Sequence, residues 1–243
     1  MVEVANSLIK VDRFNRLAGI VILAGGASKR MGSPKAELIL PTGECLLDYH
    51  VRQALDLSAA VTNTVPVMIA DNERGFTINT DLIVKNSQVP IIHITDYLSS
   101  NNDEQIETGG ALVAIEAALQ SLVNSTTLRT VQSEQLSWLM VISCDSLIPA
   151  TDLWQQLAPS IAQATGKSVI CLTDDQHLYP LLGIYRLDIE PALKRYLDDC
   201  QRQVMKFIKP IVQPVKLPKT WQDLTNFNTP DSFERACIAL HDI

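Results

Sequence analysis

The sequence predicts an α/β fold, a Rossmann-like three-layer sandwich around a mostly parallel central sheet. Short apolar runs rich in Val and Ile recur along the chain, and amphipathic stretches of helical length lie between them, the alternation expected of βαβ units. A glycine-rich, cationic loop follows directly on the first run, at the strand edge where open α/β sheets bind ligands. The 243 residues are 47% hydrophobic, enough for one such domain with a sizeable core.

Taken in order, residues 1–18 carry Glu3, Asp12 and scattered basic groups without a sustained apolar stretch. They read as an N-terminal extension, a flexible arm or an oligomer contact, and not as a secretory signal. Residues 19–243 read as a single domain. Its strands are expected at 20–24, 65–70, 89–94, 138–143, 168–173, 181–185 and 211–217. Pro66 and Pro90 stand early in their runs, where a missing backbone donor costs least. Helical spacing covers 46–57, 110–122, 151–164, 189–197 and 231–240. Pro149, Pro191 and Pro230 stand near helix starts, where their fixed φ is already suitable, and Thr229 is the N-cap before the last helix. The polar, aperiodic stretches 99–108 and 124–135 are expected to be surface excursions of the same domain.

Composition narrows the function. A net charge of −7 gives no general attraction for a nucleic-acid backbone, so bound phosphate must be met by a local cluster. The five cysteines, Cys45, Cys144, Cys171, Cys200 and Cys237, include no C-x-x-C pair and are expected to be reduced and buried. No apolar run is long enough to span a bilayer, and a soluble cytoplasmic protein with no membrane partner is expected. His50, His93, His177 and His241 fall in no nucleophile motif, so hydrolase chemistry is not indicated.

The loop reads Leu23-Ala24-Gly25-Gly26-Ala27-Ser28-Lys29-Arg30-Met31-Gly32-Ser33-Pro34-Lys35. Adjacent glycines let a ligand approach the backbone and meet successive N–H groups, while Lys29, Arg30 and Lys35 add positive charge. A polyphosphate is the natural guest. The spacing matches neither G-x-x-x-x-G-K-[ST] nor G-x-G-x-x-G, which sets aside P-loop NTPases and Rossmann dehydrogenases.

Asp145 closes the run 138–143 on the same expected edge, where a hard oxygen facing a polyphosphate suits Mg²⁺. The rival role is N-cap of the following turn; with the glycine loop beside it, metal binding is the better account. Asp96 follows the 89–94 run and could orient a nucleotide or a second metal, or simply make an Asx turn, the commoner use of Asp after a strand. His93 alternates within that run and is expected to be packed. Gly109-Gly110-Ala111-Leu112 opens a helix that could receive phosphate or pack closely on the sheet, two equally weighted readings. Asn226 and Asn228 bracket Phe227 at strand spacing, for substrate hydrogen bonds or for turn duty. The cations Arg202, Lys206 and Lys209 read as a solvated helix face before a second phosphate patch.

Together, the loop 23–35, Ser143-Cys144-Asp145-Ser146, the segment 179–185, Arg202-Gln203-Val204-Met205 and Asn226-Phe227-Asn228-Thr229-Pro230 resemble, in order, the motifs of the molybdenum cofactor guanylyltransferases. That is the molybdopterin-guanine dinucleotide biosynthesis protein A family of the nucleotidyltransferase superfamily. The resemblance implies a nucleotide-diphospho-sugar transferase-like fold, with the N-terminal half as nucleotide side and the C-terminal half as molybdopterin side. It implies transfer of GMP from GTP to molybdenum-molybdopterin with Mg²⁺, and molybdoenzyme apoproteins or their chaperones as further partners. By the same resemblance Leu23, Ala24, Gly25 and Gly26 hold nucleotide, Arg30 and Lys35 meet the phosphates, and Asp145 holds the metal. Asp96 matches the family's nucleotide-side aspartate, and Asn226 and Asn228 belong to the molybdopterin side. The chain departs from the pattern at Leu147, where the family often has proline, and at Asp71-Asn72, near the family's displaced asparagine. Competing expectations are a nucleotidyltransferase using CTP or a phosphorylated sugar or alcohol, and a non-catalytic nucleotide- or cofactor-binding protein.

Overall fold

The structure, a computed structural model, describes residues 16–26, 28, 30–61, 64–97, 110–125 and 137–241. The stretch 99–108 and nearly all of 124–135, expected as surface excursions, lie outside the described residues, as do residues 1–15. The strands are β1 Leu17–Leu23, β2 Val67–Ala70, β3 Ile91–Ile94, β4 Trp138–Ser143, β5 Val169–Thr173, β6 Leu178–Arg186 and β7 Val212–Lys216. They form one sheet in the order β3-β2-β1-β4-β6-β5-β7, in which β6 runs antiparallel to both neighbours and the rest are parallel.

The apolar residues of β1 and β4 are buried on both sides of the sheet, which is why their sequences run almost unbroken instead of alternating. Ile20, Ile22, Met140 and Ile142 pack into one core with helices α1 (Leu46–Ala60), α4 (Ala150–Leu157) and α7 (Pro230–Leu240). Val21, Leu139 and Val141 face a second core with α3 (Ala111–Asn124) and α5 (Glu190–Asp198). Two short helices, α2 (Thr80–Lys85) and α6 (Val204–Ile208), complete the described set. The result is the expected three-layer arrangement. No helix among the described residues is long and apolar enough to cross a membrane.

Several boundaries move for identifiable reasons. β1 begins at Leu17 because its pairing with β4 extends there, with the Trp138 N–H donating to Arg16 O at 2.8 Å. Part of the expected N-terminal extension is therefore strand. β6 is longer than expected because the β5–β6 register shifts between Cys171 and Leu172, and Pro180 falls in that irregularity, where no ladder donor is required. α4 stops at Leu157, and residues 158–163 continue as a 3₁₀ turn around Pro159.

The carboxyl edge matters most for function. β1 and β4 are neighbours, with Leu23 opposite Ser143. The chain leaves β1 toward β2 on one side and reaches β4 on the other, so the crevice between their ends is a topological switch point.

Candidate active site

The glycine loop starts by extending the sheet. The Ala24 and Gly25 N–H groups both donate to Ala70 O, at 2.8 and 3.1 Å. Those two donors, expected to face a ligand, are thus spent on β2, and the Gly26 N–H is the one of this run left outside the ladder among the described residues. A Cβ on Gly25 would lie 2.8 Å from Asn72 Cβ and 3.1 Å from Asn72 N, so close approach of two strand ends requires that glycine. A Cβ on Gly26 would meet nothing within 4 Å among the described residues, because it faces the cleft.

Beyond the glycines the loop folds back on itself. Ser28, at φ +46, accepts from the Lys35 N–H through Oγ at 3.2 Å, and its carbonyl accepts from the Met31 N–H at 2.9 Å. Met31 is buried in the core shared with α1, so it anchors the loop. Arg30 stays exposed at the rim, and Lys29 lies outside the described residues. The 3₁₀ turn Lys35–Glu37 returns Lys35 to the cleft floor.

There Lys35 Nζ sits 3.5 Å from Asp145 Oδ2 and donates to Asn228 Oδ1 at 2.6 Å. The ammonium also lies 5.8 Å from the centre of the Phe227 ring, within cation–π range. Leu23, Ala24, Gly26, Ser28, Arg30, Lys35, Ser143, Cys144, Asp145, Leu181 and Asn228 line an open cleft of about 380 Å³. Four regions far apart in sequence converge on it.

Asp145 is not a helix cap, since the residue before α4 is Pro149. The local turn is made instead by Ser146, whose Oγ accepts from the Ile148 N–H at 3.1 Å. With that work done by its neighbour, the Asp145 carboxylate faces Lys35 and the cleft. Its loop is held from both sides. The Tyr49 hydroxyl donates to Leu147 O at 2.8 Å, and the Leu147 N–H donates to Leu224 O at 2.8 Å. The Phe227 N–H donates to Asp145 O at 3.1 Å. Proline at 147 could not make the bond to Leu224. His50, beneath the same loop, is buried, and that burial pushes its imidazole pKa down to about 4. Neither Tyr49 nor His50 carries a sequence signal for this support, since both look like ordinary apolar-face residues of α1.

The remaining expectations divide. Asp96 lines neither this cleft nor a second hollow of about 400 Å³ bounded by Asp71, Phe76 and His93. Its Oδ2 is buried without a hydrogen-bond partner among the described residues, and residue 98, to which an Asx turn would bond, lies outside them. Burial first, then the charges of Glu73 and Asp71, raise its pKa. His93 is not packed as expected, because β3 is an edge strand; its side chain is 44% exposed, with Nδ1 3.5 Å from Asp71 Oδ2. Gly110 opens α3 at φ +118, and a Cβ there would meet nothing within 4 Å among the described residues, so backbone conformation is what demands glycine, while Gly109 lies outside the described residues. Asn226 is exposed at φ +54 and does not reach the cleft wall, whereas Asn228 does. Arg202 uses Nη1 on the Leu197 and Gln201 carbonyls at 2.7 and 2.9 Å, capping α5. Cys144, Cys171 and Cys237 are buried and free as expected; Cys45 is half-buried and Cys200 is exposed.

A lysine and a carboxylate thus converge under a glycine turn at the switch point of such a sheet, an arrangement able to meet a polyphosphate. The chain belongs to the MobA-like NTP transferase domain family, which matches residues 20–215. A probable molybdenum cofactor guanylyltransferase of Carboxydothermus hydrogenoformans is 26% identical over 225 residues, covering 89% of this chain and 93% of that protein. The molybdenum cofactor guanylyltransferase of Yersinia pestis (strain Pestoides F) is 27% identical over 214 residues, covering 86% and 90%. The crystal structure of molybdopterin-guanine dinucleotide biosynthesis protein A from Archaeoglobus fulgidus aligns with a TM-score of 0.59 at 17% identity, over 93% of this chain and all of that one (100%). The 4-diphosphocytidyl-2C-methyl-D-erythritol synthase of Anaerococcus prevotii gives 0.52 at 10% identity, over 93% and 99%. These two structures establish the nucleotide-diphospho-sugar transferase-like fold.

Proposed function

We propose that this nucleotidyltransferase moves GMP from GTP to molybdenum-loaded molybdopterin, producing the guanine dinucleotide cofactor and pyrophosphate. The observation that carries the reading is the 3.5 Å approach of Lys35 Nζ to Asp145 Oδ2 beneath the glycine loop. The names of the guanylyltransferase relatives supply the acceptor and the base. The terminal phosphate of molybdopterin attacks the α-phosphorus of GTP and pyrophosphate departs, so the protein's task is in-line positioning and charge neutralisation, with no protein nucleophile.

In this reading Leu23, Ala24 and Gly26 form the nucleotide-side wall, with Gly25 packed behind them on Asn72 and Gly26 offering its N–H. Arg30 at the rim and Lys35 on the floor meet the phosphates. Asp96 belongs to the nucleotide side in this reading, where its carboxyl, with Oδ2 unpartnered among the described residues, can hydrogen-bond a ribose or base. Asn226 and Asn228 stand toward the acceptor half. Among the described residues no three His, Cys, Asp or Glu side chains form a metal cage. One open carboxylate facing phosphates suffices for Mg²⁺, which keeps its waters and takes phosphate oxygens, and Asp145 fits that description. Mg²⁺ held there would neutralise charge on the departing pyrophosphate.

The test supplies purified protein with Mg²⁺, molybdenum-molybdopterin and GTP, CTP, ATP or UTP separately, and identifies products by mass. The expected outcome is a guanine dinucleotide product with pyrophosphate from GTP only, lost in Asp145→Ala. Turnover with CTP instead would overturn the base assignment. Nucleotide binding without turnover would overturn catalysis on this acceptor.

A further inference from the structure

Both ends of the Asn228 carboxamide are engaged inside the protein. Oδ1 accepts from Lys35 Nζ at 2.6 Å, while Nδ2 donates to Asn226 O at 3.1 Å and Asn226 Oδ1 at 3.0 Å. An ammonium can only donate, so the carboxamide must turn its oxygen to Lys35 and its amide to Asn226. The main chain fixes the same geometry. The Asn228 N–H donates to Ser232 Oγ at 3.0 Å, in the first turn of α7, and Thr229 caps that helix. Asn226 adopts φ +54, a conformation asparagine tolerates better than most residues, and so curls its side chain back onto residue 228. Among the described residues the ion-pair partner of Lys35 is Asp145, at 3.5 Å.

We infer that Asn228, oriented by Asn226, is a positioning residue that holds the Lys35 ammonium toward the phosphate side of the cleft and off the Asp145 carboxylate. This rests on the cleft being a nucleotide site. Asn228 competes with Asp145 for the same cation. Without its oxygen the ammonium closes on the carboxylate, which then presents less charge to a divalent cation, while the lysine presents less to phosphate. Asn228 thus acts through Lys35 and not on the substrate.

A double-mutant cycle on the full chain decides it, using Lys35→Ala, Asn228→Ala and both together, with GTP affinity measured calorimetrically with and without Mg²⁺ and melting followed for each variant. Asn228→Ala is expected to weaken GTP·Mg²⁺ binding about tenfold, the worth of a charge-assisted hydrogen bond. It is also expected to raise the Mg²⁺ concentration needed for half-maximal binding. In the Lys35→Ala background the same change should add no further loss and no further Mg²⁺ shift. Losses that multiply in the double variant would overturn the inference, since Asn228 would then contact the ligand by itself. An Asn228→Ala protein that melts normally and binds as the parent does would overturn it equally. Failure of the unmodified chain to bind any GTP would instead remove the nucleotide reading on which the inference stands.

Discussion

Gly25 and Gly26 are chemically identical, yet the fold uses them differently. Gly25 lies where a Cβ would strike the Asn72 backbone, and Gly26 lies where it would strike nothing within 4 Å among the described residues. Gly25→Ala should therefore cost about 1–3 kcal/mol of stability, the range for overpacking a rigid contact, and lower the melting temperature. Gly26→Ala should melt like the parent while weakening nucleotide binding, since its methyl would occupy the cleft. Equal melting losses for the two variants would contradict the assignment. The sequence announced the pair as a phosphate-binding run, and it could not distinguish them. That difference depends on Asn72, brought alongside by the β1–β2 pairing.

At the scale of elements, α3 and α5 meet across a seam that carries charge. Glu116 of α3 is fully buried, and neither carboxyl oxygen has a hydrogen-bond partner among the described residues. Facing it on α5 are Glu190, Lys194 and Asp198, spaced four residues apart on one side of the helix. Tyr97, after β3, donates to Asp198 Oδ1 at 2.9 Å and accepts from Lys194, tying the β3 end of the sheet to the same seam. Burial, then the charge of Glu190, raises the Glu116 pKa from 4.5 to about 8. The folded protein therefore keeps a proton that the unfolded chain has released. The stability this contributes is complete below the ordinary carboxylate pKa and is lost as pH rises toward about 8. Glu116→Gln should remove that decline, so its melting temperature should gain on the parent steadily from about pH 5 to about pH 8. Parallel melting curves across that range would show that Glu116 is not protonated in the fold. The short helix α2 belongs to the same scale in another way. It buries none of its residues, so it left no apolar stripe to read.

For the whole molecule, what could be read from sequence followed burial. β4 appears at 138–143 as expected, and α1 starts at Leu46 as expected, because both contribute unbroken or periodic apolar residues to the core. β6 and α4 end elsewhere because Pro180 and Pro159 act through neighbours that a single strand or helix pattern does not contain. The site divides along the same line. Lys35 and Asp145 stand in recognisable local motifs. Their meeting with Asn228 depends on the Leu147–Leu224 and Phe227–Asp145 backbone bonds, which close the chain's far end onto its middle. The central claim is that the crevice between β1 and β4 is where nucleotide is held for transfer. A crystal structure with GTP and Mg²⁺ tests it most directly. The account predicts phosphates against Gly26, Arg30 and Lys35, with the metal on Asp145. Nucleotide seated instead in the hollow beside Asp71 and His93, with Lys35 still closed on Asp145 and Asn228, would contradict it.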